Sequence, residues 1–165
     1  MKARALAYGG LGEFKVVSIR ETPPDLFTQG PCDCPERAAA YWAAHIRTDA
    51  RFNPEVETLW VIALNVRRRV IGCYLVSTGS ADTCYVPVKE VLKPAVVASA
   101  SGLIVMHNHP SGDSTPSEAD IMVTRKLSQA GKLLEVDILD HVIMGDSRLN
   151  GRGWHSLREL GYFCN

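Results

Sequence analysis

Between Gly102 and Asp120 the chain reads GLIVMHNHPSGDSTPSEAD, an order of residues that few folds accommodate. GLIVMHNH alternates as a strand does, which points Leu103, Val105, His107 and His109 to one face of a sheet. Two imidazoles therefore leave the strand end side by side. Past Pro110 and Gly112, the run Thr115, Pro116 and Glu118 has the order of a helix start: threonine at the N-cap, proline at the first helical position and glutamate closing a capping box. On this reading Ser117 and Asp120 are free of capping duty. They lie one turn apart on one helical face, with Asp120 beside the stripe of Val123 and Leu127 that turns toward the core. A carboxylate aimed inward needs a partner, and a metal ion shared with the two histidines would provide it.

Two imidazole nitrogens and one carboxylate oxygen make three protein ligands, the count expected where the fourth position of a zinc ion is left for water or substrate. Such an ion lowers the pKa of its water to about 7 and polarises a carbonyl oxygen, two standard routes to hydrolysis. The same donor set also accepts iron, manganese or cobalt. The plainer alternative is a pair of histidines hydrogen-bonding a loop at a strand end. Two on one face with Asp120 within reach favour the metal.

The spacing HNHPxGxxxPSxxD, followed by LDHVIMG from Leu139 to Gly145 and SLRELG from Ser156 to Gly161, resembles the RadC-like branch of the JAB/MPN (JAMM) metalloproteases. The upstream segment ETLWVIALNVRRRVIGCYLVSTGS fits the same family, so the resemblance runs from about Glu57 to Gly161. It implies an α/β fold of the MPN (JAB) type, a mixed curved β-sheet flanked by helices with cytidine-deaminase-like layering. It makes His107, His109 and Asp120 the ligands of one Zn2+ per chain. It makes Glu57 the acid/base that takes a proton from water, and Ser117 the hydroxyl that steadies a tetrahedral oxyanion. The residues alone do not choose Glu57 over Glu55, two positions away on the same strand face; the family register does. The implied activity is a zinc-dependent metallohydrolase that cleaves peptide or isopeptide bonds with a metal-activated water, on a peptide or protein substrate that includes the ubiquitin-like class. A deaminase proper is excluded, because the H-x-E and P-C-x-x-C pattern is missing. Where the family carries Pro-Arg-Glu, this chain reads VPVKEV from Val86 to Val91, and Lys89 lacks the planar fork of arginine. No helix-hairpin-helix-like region precedes Pro35, which leads us to expect a stand-alone catalytic module. Asp140 and His141 are left with two readings, orienting a ligand or forming a satisfied polar pair in the sheet.

Composition suits one compact domain: 165 residues, 46% apolar and 22% charged, enough for one core. Lysine plus arginine equal aspartate plus glutamate at 18 each, so no electrostatic footprint for duplex DNA or an anionic membrane is written in the charge. Arg67, Arg68 and Arg69 read as a hairpin turn, although they also keep a nucleic-acid-binding module open as an alternative. A non-catalytic MPN scaffold is the other. No apolar run reaches the length of a membrane span and the N-terminus lacks a secretory signal pattern, which leaves the cytoplasm as the expected location. Cys32, Cys34, Cys73, Cys84 and Cys164 are odd in number and scattered, as reduced thiols are; Cys84 reads as a buried strand residue. We expect an N-terminal extension over 1–34, with a strand at Phe14–Arg20, and the RadC-like domain over 35–165. Within the domain the pattern predicts a helix over 36–47 with Ala39, Trp42, Ala43 and Ile46 inward, and strands over 58–66 and 70–77. A helix after Pro87 is expected to be kinked or split at Pro94. The His107 strand follows, then the Asp120 helix stopped by Gly131, then a strand from about Leu133 to Met144.

Overall fold

The computed structural model describes residues 30–79 and 87–163. The expected strand at Phe14–Arg20, most of the extension, Cys84 and Cys164 lie outside the described residues. Along the chain the elements are α1 (Pro35–Tyr41), which continues as a π-helical turn (Trp42–Ile46), β1 (Thr58–Leu64), β2 (Val70–Thr78), α2 (Val88–Ala98), β3 (Gly102–Asn108), α3 (Glu118–Leu133), β4 (Asp137–Met144), α4 (Ser147–Asn150) and β5 (Trp154–Ser156).

The strands form one mixed sheet in the order β2-β1-β3-β4-β5. β1 pairs antiparallel with both β2 and β3, β3 and β4 run parallel, and β5 returns antiparallel on β4. The parallel pair requires a crossover, and α3 provides it. All seven residues of β1 and of β3 are buried, as expected for central strands covered on both faces. Period-two alternation divides them between two cores. Trp60, Ile62, Leu64, Ile104 and Met106 pack with Trp42, Tyr41 and Ile46 of the first helical segment. Leu59, Val61, Ala63, Leu103 and Val105 pack on the other face with Val91, Leu92 and Ala95 of α2 and Leu127 of α3. The chain is thus an α/β sandwich with a mixed sheet at its centre, consistent with the expected JAB/MPN fold.

Several local expectations are corrected. The π-helical turn changes the inward face of the first helix, so that Tyr41 is buried and Ala43 is exposed. Pro94 sits inside one continuous α2; it forgoes a helical hydrogen bond, but Val91, Leu92 and Ala95 anchor the same face of the helix across it. Gly131 does not end α3, which runs on to Leu133 while Glu135 takes the left-handed conformation at φ 55°. Glycine is required at 131 for close approach instead: a Cβ there would stand 2.4 Å from the Val136 carbonyl oxygen. The arginine triplet is a turn, as expected: the Asn65 side chain accepts from the Arg67 and Arg69 amides, and Arg68 has φ 58° and reaches Asp137 at 3.6 Å.

Candidate metal centre

The end of β3 places His107 on the α3 side of the sheet, on the same face as Leu103 and Val105, with 1% of its surface exposed. His109 follows beyond the strand end, where its amide donates to the Met144 carbonyl at 2.9 Å. The loop then turns tightly: the Gly112 amide donates to the His109 carbonyl at 2.9 Å with φ 81°, a conformation that glycine adopts at little cost. These contacts bring the two Nε2 atoms to 3.0 Å.

The start of α3 differs from the expectation. Ser117, not Thr115, is the N-cap, and Asp120, not Glu118, closes the capping box. Thr115 is instead bonded through its amide and hydroxyl to Asp113 Oδ1, at 2.9 and 2.7 Å. A loop-closing bond competes with capping at threonine, and here the loop takes it. The consequence is chemical. Ser117 donates to Asp120 Oδ2 from its amide at 2.8 Å and from its hydroxyl at 2.6 Å, which fixes the carboxylate rotamer. Asp120 Oδ1 then faces His107 Nε2 at 3.2 Å, and Oδ2 lies 3.5 Å from His109 Nε2.

His107, His109 and Asp120 offer three donor atoms within 4.8 Å of one another, and they are the one such group among the described residues. Cys32 and Cys34 join no metal-capable cluster there, and burial pushes the Cys32 thiol up to about 12. Tetrahedral donors each about 2.0–2.1 Å from a zinc ion stand roughly 3.3 Å apart; the separations of 3.0 and 3.2 Å at His107 Nε2 match this to within a few tenths. The far ring nitrogen of His109 meets the Asp113 carbonyl oxygen at 2.7 Å, and a carbonyl can only accept. Neutral His109 therefore carries its hydrogen on Nδ1 and a lone pair on Nε2, the atom aimed into the group. The donor set fits a divalent metal.

Electrostatics agree. Burial alone would raise the Asp120 carboxyl, but His107, His109 and Ser117 hold it well below the usual carboxylate range. Burial opposes a charged His109, and the Asp120 carboxylate and Asp113 carbonyl overcome it, raising the imidazole above its ordinary value.

Glu57 immediately precedes β1, with its side chain 15% exposed and Oε1 at 3.7 Å from His107 Nε2. The five residues named from the sequence, Glu57, His107, His109, Ser117 and Asp120, therefore meet in one place. Asp140 and His141 part company, because alternation sends them to opposite faces of β4. Asp140, whose carboxyl burial pushes up, accepts from Ser156 Oγ at 2.7 and 2.9 Å and from the His141 and Arg158 amides. His141 Nε2 lies 2.8 Å from His107 Nδ1, and its other nitrogen lies 2.6 Å from Thr124 Oγ1. Burial lowers His141 to about 3.

Two contributors escaped the sequence reading. Thr124 bonds the Asp120 carbonyl and His141, and it sits one turn past Asp120 on the same face, a spacing that could have flagged it. Asn108, between the two histidines, grips the segment that carries Glu57 into β1. Beside the site opens a cleft of about 870 Å³, lined by His109, Trp42, Arg47, Phe52, Arg148 and Trp154 among others.

A family model described as the RadC-like JAB domain matches residues 32–162. The chain belongs to this RadC-like JAB domain family. Among similar proteins, a UPF0758 protein of Thermosynechococcus vestitus is 40% identical over 163 residues, covering 94% of this chain and 61% of the relative. One from Caldanaerobacter subterraneus subsp. tengcongensis is 48% identical over 103 residues, 62% of this chain and 42% of its own length. A third, from Geobacillus thermodenitrificans, is 40% identical over 129 residues, 78% and 53%. The chain spans about half the length of the curated relatives it matches. The JAB domain superfamily includes metallohydrolases. No helix among the described residues is long and apolar enough to cross a membrane.

Proposed function

We propose that this RadC-like domain is a zinc-dependent hydrolase of peptide or isopeptide bonds. The observation that carries the reading is the convergence of the His107, His109 and Asp120 donors with the Glu57 carboxylate 3.7 Å from His107 Nε2. A bound zinc ion supplies a Lewis acid that activates water and polarises the amide carbonyl. Glu57, whose Oε1 lies 3.7 Å from His107 Nε2, takes the water proton on its carboxylate and returns it to the departing amine nitrogen. Ser117 has two tasks. Its amide and hydroxyl hold Asp120 in its ligand rotamer, and its hydroxyl is the donor available to a substrate oxyanion, which it reaches by giving up the 2.6 Å bond to Asp120 Oδ2. The adjoining cleft offers an extended chain aromatic and arginine side chains. We assign the catalytic unit to residues 35–165, take its substrate to be a peptide or protein, ubiquitin-like tails included, and place it in the cytoplasm; the free thiols of Cys32, Cys34 and Cys73 support a reducing compartment.

The test is metal content per chain by elemental analysis of wild type, His109→Ala and Asp120→Ala purified without added metal. It is followed by a screen of amide and isopeptide substrates with Glu57→Gln as control. Near one zinc per wild-type chain, lost in both variants, with turnover that Glu57→Gln abolishes, is the expected result. A wild type that cannot be loaded with zinc would sink the hydrolase reading and leave a scaffold or a nucleic-acid-binding module, the latter marked by affinity that falls steeply with salt.

A further inference from the structure

We propose that Thr124 and His141 are positioning residues: a one-way hydrogen-bond relay from the backbone of α3 that forces His107 to present Nε2 as its metal donor. This rests on the metal reading above. The available hydrogens fix the direction of each bond. Thr124 Oγ1 lies 2.6 Å from the Asp120 carbonyl oxygen. That oxygen can only accept, so the single hydroxyl hydrogen is spent on it. The 2.6 Å contact between Thr124 Oγ1 and His141 Nδ1 must then run the other way, with Nδ1–H donating to the hydroxyl oxygen. His141 is 1% exposed and meets only a hydroxyl and an imidazole at its two nitrogens, so it is neutral and its Nε2 carries a lone pair. At 2.8 Å from that lone pair, His107 Nδ1 carries the hydrogen, which leaves the lone pair of His107 on Nε2, 3.2 Å from Asp120 Oδ1.

His109 reaches the same tautomer through the Asp113 carbonyl, by a backbone contact alone. The His107 route is longer and depends on two side chains. It also closes a loop through α3. Asp120 sends its carboxylate to the donor group and its own carbonyl to Thr124, so one residue both contributes a ligand atom and directs the histidine beside it. Groups that orient a metal-bound histidine typically change metal affinity 10–100-fold when removed.

The experiment measures imidazole tautomers by nitrogen-15 NMR on the metal-free protein at alkaline pH, and zinc affinity by competition with a chelator, for wild type, Thr124→Val and Thr124→Ser. The expected result is hydrogen on Nδ1 of both His107 and His141 in wild type. Thr124→Val, of matched shape but unable to accept from His141, should turn His141 and His107 toward the opposite tautomer and weaken zinc about 10–100-fold. Thr124→Ser should restore both. A merely structural threonine would lower stability without moving either tautomer. Hydrogen on Nε2 of His107 in the wild type, or unchanged zinc affinity in a folded Thr124→Val, overturns the relay. If Thr124→Val does not fold, the wild-type spectrum and the serine variant still decide. A wild type with the expected tautomers but no zinc binding would instead refute the metal reading and leave the hydrogen count standing.

Discussion

Asn108 Oδ1 accepts from both the amide and the hydroxyl of Thr58, at 3.0 and 2.7 Å, while its Nδ2 donates to the Val56 carbonyl at 2.9 Å. The residue between the two histidines thus grips the chain on either side of Glu57. Thr58 is further fixed by accepting from Trp60 Nε1 at 3.1 Å. The distance between the candidate acid/base and the donor group is therefore set by a side chain belonging to neither.

Asn108→Ala would strip three hydrogen bonds from a site where Thr58 is fully buried. At about 1–3 kcal/mol for a buried polar group left without a partner, we expect a loss of roughly 2–4 kcal/mol. Urea unfolding should show a lower midpoint at unchanged slope. A loss below half a kcal/mol would mean that the clamp does not hold the strand end.

Ser117→Ala separates the two duties of the serine. Loss of the N-cap should cost about 1 kcal/mol of stability in the metal-free protein. Because the hydroxyl also fixes Asp120 Oδ2, zinc affinity should fall as well, whereas Thr115→Ala should leave it nearly unchanged. Calorimetric melts and zinc titrations of the two variants would check this, and equal zinc affinities would contradict it.

Gly131→Ala tests the close approach of α3 to the start of β4. In an exposed helix interior this change stabilises by about 1 kcal/mol. Here the added carbon would stand 2.4 Å from the Val136 carbonyl and 3.1 Å from Ile138, so the backbone must shift. The expected sign is reversed, to a destabilisation of about 1–3 kcal/mol, read from the thermal midpoint.

The raised pKa of His109 makes zinc uptake pH-dependent. A histidine whose folded pKa lies above its unfolded value of about 6.5 contributes stability that is full below that value and lost as pH rises through the folded one. The metal-free protein should accordingly lose this increment on the alkaline side, and zinc should replace it there. Wherever His109 is protonated, zinc must displace that proton. Calorimetry in buffers of different ionisation enthalpy should show proton release that fades at alkaline pH. Release independent of pH would argue against His109 as a ligand.

Much of the centre was legible because its chemistry is local in sequence. His107 and His109 share a strand end, and Asp120 is one short loop away on the next element. The fold class followed from the order of strands and helices and from the family resemblance. The capping pattern was misread because Thr115-Pro116-x-Glu118 and Ser117-x-x-Asp120 are overlapping solutions to the same problem. Only the Thr115 bond to Asp113 decides between them, and that depends on the folded loop. Gly131 misled for a related reason, since a glycine that stops a helix and a glycine that admits a neighbouring carbonyl look alike in one dimension. The spacing from Asp120 marks Thr124 as a neighbour of the site, but its contact with His141 spans 17 residues and those of Asn108 span 50 or more, distances that no local pattern encodes.

The crossover carries a kinetic consequence. Glu57 leads into β1, His107 ends β3, Asp120 and Thr124 lie on α3 and His141 on β4, so the three donors, close in sequence, meet the Glu57 carboxylate and the His141 imidazole only once the antiparallel and the parallel pairings are both in register. Contacts of such long sequence separation close slowly. A cation held by the completed centre would lock the finished arrangement and slow its opening, lengthening the lifetime of the folded state.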